Sequence, residues 1–285
     1  MLESSAIEIR LLQSSDIAAA LRLKELAGWN QTEQDWQRLL RLEPQGCFCA
    51  TLDGGVVGTS TTTTYGSDLA WIGMVLVDPE YRKRGIGKRL MQVALDYLRD
   101  INVATVKLDA TQQGQPVYEG LGFKFESRVE RWQGIARRAG KTDCTSFSRD
   151  ALADVLALDR DAFSADRSKL IEILIADACV TPILSVEDDG SLNGYTLARR
   201  GSNASYLGPL IAKKPSQAEQ LLDGLLEQLS GQEVYVDLNT EFESGTKILA
   251  RRGLVKQRDL DRMSYGKPSD STSSLVFAIA GPEVG

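Results

Sequence analysis

Apolar and polar positions alternate from Ile7 to Leu12, the period of a half-buried strand, and the spacing then lengthens to that of a helix. Ser14-Ser15-Asp16 stands where a cap belongs, and the helical pattern runs to about Ala27. A second helix is expected from Thr32 to about Leu42, because Thr32-Glu33-Gln34-Asp35 is close to a capping box. Cys47–Leu52 and residues 56–65 read as strands around Asp53-Gly54-Gly55, a strong hairpin signal, and Leu69–Val77 is a third, strongly apolar strand. Pro79 ends that strand. Ile86, Leu90, Ala94, Tyr97 and Ile101 then recur at helical spacing, residues 103–110 form a buried strand, and a short helix lies around residues 116–120. Residues 123–132 are the last strand of this unit. The order β-α-α-β-β-β-α-β-α-β belongs to a layered α/β domain and not to a sandwich or a bundle.

Residues 134–143, containing Arg137-Arg138-Ala139-Gly140-Lys141, have the composition of a linker. Beyond them the pattern of the first half returns. Gly190-Ser191-Leu192-Asn193-Gly194 mirrors the turn before Gly58, and Ser205-Tyr206-Leu207-Gly208-Pro209-Leu210 follows Ala70-Trp71-Ile72-Gly73-Met74-Val75. Val234-Tyr235-Val236-Asp237 matches Val106-Lys107-Leu108-Asp109, and Arg252-Gly253-Leu254 matches Leu121-Gly122-Phe123. Matches in one order at similar intervals indicate duplication of a domain-sized unit. The expected divisions are residues 1–133, the linker, residues 144–266, and a tail of residues 267–285. That tail is polar through residue 274 and then apolar and strand-like, so it is expected to dock; Leu275, Val276, Phe277 and Ile279 would otherwise leave an apolar patch in water.

Composition narrows the chemistry. The 285 residues are 42% hydrophobic and 25% charged, ordinary for a soluble protein of two domains. No apolar run approaches the roughly 20 residues that span a bilayer. Met1-Leu2-Glu3-Ser4-Ser5 lacks the marks of a signal peptide, so no membrane association and a cytoplasmic location are expected. The net charge of −6 argues against a nucleic-acid partner. With no histidine, Ser-His-Asp and Cys-His triads and His-containing zinc sites are excluded. The four cysteines lack CxxC spacing, and Cys47 and Cys49 should face one side of a strand as small buried hydrophobes; no metal is expected.

The chemical signal lies in one loop. The strand Met74-Val75-Leu76-Val77 runs through Asp78-Pro79-Glu80-Tyr81 into Arg82-Lys83-Arg84-Gly85-Ile86-Gly87-Lys88-Arg89, which opens a long helix. Unpaired N–H groups at such a helix start suit phosphate, glycines admit close approach to the main chain, and the cations add charge-assisted contacts. No Walker sequence can be written here, and Leu90 stands where a dinucleotide fingerprint needs its third glycine.

Arg82-Lys83-Arg84-Gly85-Ile86-Gly87 resembles the Arg/Gln-x-x-Gly-x-Gly/Ala pyrophosphate loop of the GCN5-related N-acetyltransferases (GNAT), and Val117-Tyr118-Glu119-Gly120-Leu121-Gly122-Phe123 resembles that family's Leu-Tyr-Glu-x-x-Gly-Phe segment. The resemblance covers about residues 6–133. It implies two tandem GNAT-like mixed-sheet domains, the second degenerate, with acetyl-coenzyme A as cosubstrate. Val75, Leu76 and Val77 would lie along the pantetheine arm, with an amide of that stretch polarising the thioester carbonyl. Arg82, Lys83, Arg84, Gly85, Ile86, Gly87 and Lys88 would hold the pyrophosphate, and Tyr118 would serve as acid to the departing thiolate. Thr111 stands where the family often has asparagine. The general base is left open among Asp68, Asp109, Glu119, Glu33, Asp35 and a water chain.

In the duplicate, Ala212-Lys213-Lys214-Pro215-Ser216-Gln217-Ala218 contains no glycine, and Leu249 takes the place of Tyr118. A fold copy without coenzyme chemistry is expected, walling an acceptor pocket near the boundary of the two units. The expected activity is acetylation of a small amine. A protein lysine or N-terminus as acceptor, and a non-catalytic acyl-coenzyme A sensor, are the alternatives.

Overall fold

Capping and turn chemistry set the element boundaries. A computed structural model of the chain describes residues 6–138, 140, 142–267 and 273–285; Met1-Leu2-Glu3-Ser4-Ser5, Ala139 and Lys141 of the linker, and residues 268–272 of the tail lie outside the described residues. The first unit comprises β1 (Glu8–Leu11), α1 (Ile17–Leu26), α2 (Glu33–Leu42), β2 (Cys47–Leu52), β3 (Gly55–Tyr65), β4 (Leu69–Val77), α3 (Ile86–Asp100), β5 (Thr105–Ala110), α4 (Gln115–Glu119) and β6 (Lys124–Ile135). The second comprises β7 (Thr145–Ser146), α5 (Leu152–Phe163), α6 (Ser168–Ala176), β8 (Ile183–Val186), β9 (Leu192–Arg199), β10 (Ser205–Ala212), α7 (Pro215–Gln228), β11 (Glu233–Asn239), α8 (Gly245–Arg251) and β12 (Val255–Gly266), and the chain closes with β13 (Val276–Ala278). Thr32 caps α2 in a complete box with Asp35, whose Oδ2 accepts from the Thr32 N–H at 2.7 Å. Asp53 and Gly54 both take positive φ, 50° and 79°, as a two-residue hairpin turn requires. Among the described residues no helix is long and apolar enough to cross a membrane.

The strands form one 13-stranded mixed sheet. Its middle departs from a simple tandem. The strand assigned from sequence as the last of the first unit, β6, does not lie beside β5. β12 of the second unit pairs there, from Asp261 opposite Ala110 to Gly266 opposite Thr105. In exchange β6 pairs with β11, from Val129 opposite Asn239 to Ile135 opposite Glu233, and this ladder carries β6 past Trp132 into the stretch read as linker. β6 and β12 also pair antiparallel with each other, so the two units are continuous through their exchanged strands.

Two buried ion pairs pin the exchange. Arg262 of β12 forks onto Asp109 of β5 at 2.9 and 3.0 Å, and Arg131 of β6 forks onto Asp237 of β11 at 2.7 and 2.5 Å. In both cases arginine and aspartate stand directly opposite across the ladder. Asp109 and Asp237 are the duplicated positions of the sequence, so each unit offers the same carboxylate to the other unit's strand.

Helices cover both faces of the sheet. Leu90, Met91, Ala94 and Leu98 of α3 pack with Phe48, Ile72 and Val106. On the other side, Trp36, Leu39 and Trp71 share one core with Phe163, Leu170 and Tyr195 of the second unit. The tail docks as its composition requires. β13 inserts between β10 and β11, with Ala278 opposite both Leu210 and Leu238, and residues 276–280 are all buried. Phe277 meets Phe242 edge-on at 5.2 Å.

Candidate active site

A fork in the first unit creates the site. β4 and β5 run parallel but pair only at Leu69, Ala70 and Trp71, opposite Thr105, Val106 and Lys107; past Trp71 they diverge. Met74, buried at φ 50°, forms a bulge where the register with β3 shifts, and the Thr59 hydroxyl fixes it by donating to the Met74 carbonyl at 2.8 Å. A left-handed non-glycine residue of this kind stores roughly 1–3 kcal/mol, which the surrounding packing must hold. The cavity in the fork is lined by Met74 and Val75 on one wall, Asp109 and Thr111 on the other, and the Tyr118 ring. Val75, Thr111 and Tyr118, named from three separate sequence segments, thus meet at one place. Leu76 and Ile86 are buried in the core, so only their main chain can face a ligand. The Val77 carbonyl accepts from Arg82 Nε at 3.1 Å.

The basic loop follows directly from β4. Lys83 and Gly85 take φ of 63° and 76°, a conformation that gathers successive N–H groups toward one anion. The first helical bond of α3 outside its own span runs from Arg89 N–H to the Gly85 carbonyl at 3.0 Å. The N–H groups of Lys83, Arg84, Gly85, Ile86, Gly87 and Lys88 make no hydrogen bond among the described residues. The Lys83, Arg84 and Lys88 side chains are exposed, with Arg84 stacked 5.3 Å from the Tyr81 ring centre. A Cβ built on Gly87 would meet only Val77 Cγ2, at 3.7 Å, so the fold leaves open space on the side where an anion would approach.

The second unit gives a contrast within one chain. Its helix α7 opens with Pro215, which has no N–H, and the N–H groups of Gln217 and Ala218 already bond to the Lys214 carbonyl at 3.1 and 3.2 Å. The fork between β10 and β11 is also present, since their parallel pairing covers only Ser205, Tyr206 and Leu207, but β13 fills it. Leu249, at the place of Tyr118, is fully buried in the core.

Comparison with known proteins agrees with both halves. The acetyltransferase (GNAT) family model matches residues 16–123, and an acetyltransferase (GNAT) domain model matches residues 155–278. Glucosamine 6-phosphate N-acetyltransferase of Trypanosoma brucei brucei is 30% identical over 139 residues, 44% of this chain and 94% of that protein. The chain belongs to the GCN5-related N-acetyltransferase family. An uncharacterized N-acetyltransferase of Bacillus subtilis, YitH, is 29% identical over 284 residues, 98% of both chains. A candidate acetyltransferase from Pyrococcus horikoshii superposes with a TM-score of 0.85 at 22% identity, covering 100% of this chain and 98% of that one. A tandem GNAT protein from the clavulanic acid biosynthesis pathway superposes at 0.66 and 17% identity, covering 93% of this chain and 100% of that one. The chain is therefore an N-acetyltransferase built of two tandem GNAT domains.

In this acetyltransferase the Tyr118 ring lies across Gly114, where a Cβ would stand 2.7 Å from its Cε2, and its hydroxyl makes no hydrogen bond among the described residues. Burial pushes the phenol above its ordinary pKa, so it stays protonated throughout the neutral range. The Thr111 hydroxyl accepts from the Gly114 N–H at 3.3 Å and its carbonyl from Gly114 and Gln115, so Thr111 shapes the entry to α4. Of the five carboxylates considered as base, only Asp109 lines the cavity, and both its oxygens are held by Arg262. Glu33 and Glu119 are exposed and accept from Gln37 and Gln115, each at 2.9 Å. Asp35 is locked by Thr32, Arg38 and Arg199. Asp68 precedes the paired start of β4, at the end opposite the fork.

Sequence reading expected the second unit to wall an acceptor pocket, but it named no residue of that unit or of the tail as lining it. Arg258 and Leu260 of β12 line the same cavity, as does Glu283, which lies only 3% exposed beyond β13. Glu283 is bound by Arg199 at 2.7 Å and by Gln31 Nε2 at 2.9 Å. One signal existed: it is the sole charged residue after Asp270. The tail fits against β4 closely enough that a Cβ on Gly73 would stand 2.6 Å from Glu283 Cα and 2.7 Å from its carbonyl oxygen. Gly73→Ala is therefore expected to cost about 1–3 kcal/mol by overpacking backbone that cannot yield. A urea midpoint equal to that of the parent protein would show that the tail is loosely seated.

Proposed function

We propose that this acetyltransferase transfers acetyl from acetyl-coenzyme A directly to the primary amine of a small molecule, using the fork of the first unit. The observation that carries the proposal is the contrast between the two forks. β13 shows what the second fork accepts, an extended segment bearing amides between diverging strands. The equivalent space in the first unit is bordered by Val75 and Thr111 and leads to a row of unpaired N–H groups. An extended pantetheine arm with a diphosphate at its end fits that pair of features.

Acetyl-coenzyme A supplies the acetyl group as an activated thioester. The loop from Arg82 to Lys88 binds diphosphate through main-chain N–H groups and the exposed cations. The edge of β4 at Val75, Leu76 and Val77 orients the arm, and an amide at the bulge polarises the thioester carbonyl. Tyr118 holds a proton at its hydroxyl for the departing sulfur. The second unit, exchanged strand included, closes the acceptor side of the cavity, which favours small molecules over protein segments. One coenzyme per chain is expected. Two relatives support the choice of a small-molecule acceptor, one named a glucosamine 6-phosphate N-acetyltransferase and the other a mycothiol acetyltransferase.

Thiol release from acetyl-coenzyme A across a panel of amines tests the activity; coenzyme binding without turnover on any amine, small molecule or peptide, would leave the sensor reading in its place. The loop has its own test. Gly87→Val fits the fold, because the nearest side-chain atom to the new Cβ is at ordinary contact distance, 3.7 Å. It is expected to weaken coenzyme binding at least about tenfold, roughly 1.4 kcal/mol, by blocking approach to the main chain. Unchanged affinity by calorimetry in a folded variant would remove the phosphate site from this loop.

A further inference from the structure

The charges around the cavity do not cancel within it. Asp109 is held by Arg262 through both oxygens, and Glu283 by Arg199 and Gln31. Asp237, the acidic group closest in effect to Arg258, has its oxygens taken by Arg131, with Tyr206 sharing one of them at 3.1 Å. Arg258 is left over. Its guanidinium forms no ion pair or side-chain hydrogen bond among the described residues, and its Nε is fully buried without a partner. Burial and the neighbouring Arg131 pull its pKa below the ordinary arginine value.

The chain positions this cation with some care. The ladder of β12 with β6 shifts register at two places, and the first, between Lys256 and Arg258, is a bulge that re-aims the side chain following it. Arg258 stands opposite Arg131 in that ladder; Asp237 compensates Arg131, and no carboxylate bonds to Arg258 among the described residues. Arg258 is half-buried with its Nε sealed from water, so the absence of a direct partner is unfavourable. A second unsatisfied atom lines the same cavity. With Gln31 Nε2 donating to Glu283, Gln31 Oε1 is buried without a partner.

We propose that the acceptor is an amine that also carries an oxyanion, a carboxylate or a phosphate, and that Arg258 binds the oxyanion while Gln31 Oε1 accepts a hydrogen of the amine. The inference rests on the acetyl-transfer reading above and names its substrate class. A guanidinium donates to either anion as a fork, and a neutral amide oxygen leaves the amine free to lose its proton to water before attack. A polyamine would place more positive charge beside an uncompensated arginine and is selected against.

The test uses the full-length protein with matched pairs. One arm compares amino acids with the amines lacking their carboxylate, the other amino-sugar phosphates with the unphosphorylated sugars, and spermidine serves as the cationic control. Thiol release is expected to show kcat/KM about 10- to 100-fold higher for the anionic member of one arm, from the usual strength of a charge-assisted pair. Arg258→Gln should erase most of that preference through KM, with coenzyme affinity unchanged. Calorimetry on the coenzyme-bound protein separates the two readings. If anionic amines bind the parent protein and not Arg258→Gln, yet none is acetylated, the oxyanion site stands and the transfer reading falls. Neutral amines or spermidine used as well as the anionic ones, a preference that survives Arg258→Gln, or no binding by either anionic class would overturn the proposal.

Discussion

Tyr118→Phe is expected to lower turnover by roughly 10²-fold or more while coenzyme affinity barely moves. The substitution is unusually clean. The ring keeps its place against Phe123, 6.2 Å away between centres, and no hydrogen bond among the described residues is lost with the hydroxyl. Stability should therefore hold, and a fall in rate can be assigned to the missing proton. Because burial raises the phenol's pKa, deprotonation of this group should not limit the rate anywhere between pH 6 and about 9. Stopped-time thiol-release assays at saturating coenzyme measure the effect. A rate within a few-fold of the parent protein would make Tyr118 a packing residue, with solvent protonating the leaving sulfur.

The second large effect concerns stability. Asp237→Ala removes the only carboxylate forked onto Arg131 among the described residues, and both side chains are almost completely buried, at 0% and 4% exposure. Breaking a buried pair from one side typically costs about 3–5 kcal/mol, because the remaining charge has lost its compensation. Arg131 lies on the strand that the first unit lends to the second, so the loss should weaken both units in one urea transition. A double variant, Arg131→Met with Asp237→Leu, should recover much of the loss, since no charge is then stranded. A cost below about 1 kcal/mol for Asp237→Ala, or separate unfolding of the two units, would mean that the ion pair does not hold the exchange.

The proposed coenzyme side was legible because its features are local. A strand, a basic glycine loop and a helix start follow each other within Met74 to Leu90, and the main chain itself supplies the donors. Tyr118 sits in a short segment with its own glycines. The proposed acceptor side was not legible in the same way. Arg258 and Glu283 lie 140 and 165 residues beyond Tyr118, and neither belongs to a motif. They reach the cavity only because β12 crosses into the first unit and the tail runs on from β13 toward Gly73.

What the sequence by itself determined was the set of elements of the first unit, the duplication and the one basic glycine loop proposed to bind phosphate, since periodicity, caps and glycines act over a few neighbouring residues. It also determined that the tail must be covered. What only the tertiary structure decided was the pairing: which last strand lies beside β5, and which fork the tail enters. The physical reason lies in the duplication. β6 and β12 each carry an arginine, and β5 and β11 each carry an aspartate at the same step, so either strand has a matching partner in either unit. Alternation fixes which face of a strand is buried but not which neighbour it takes. That choice is made by packing across the whole sheet, where the helices of both units share one core around Trp36, Trp71 and Phe163.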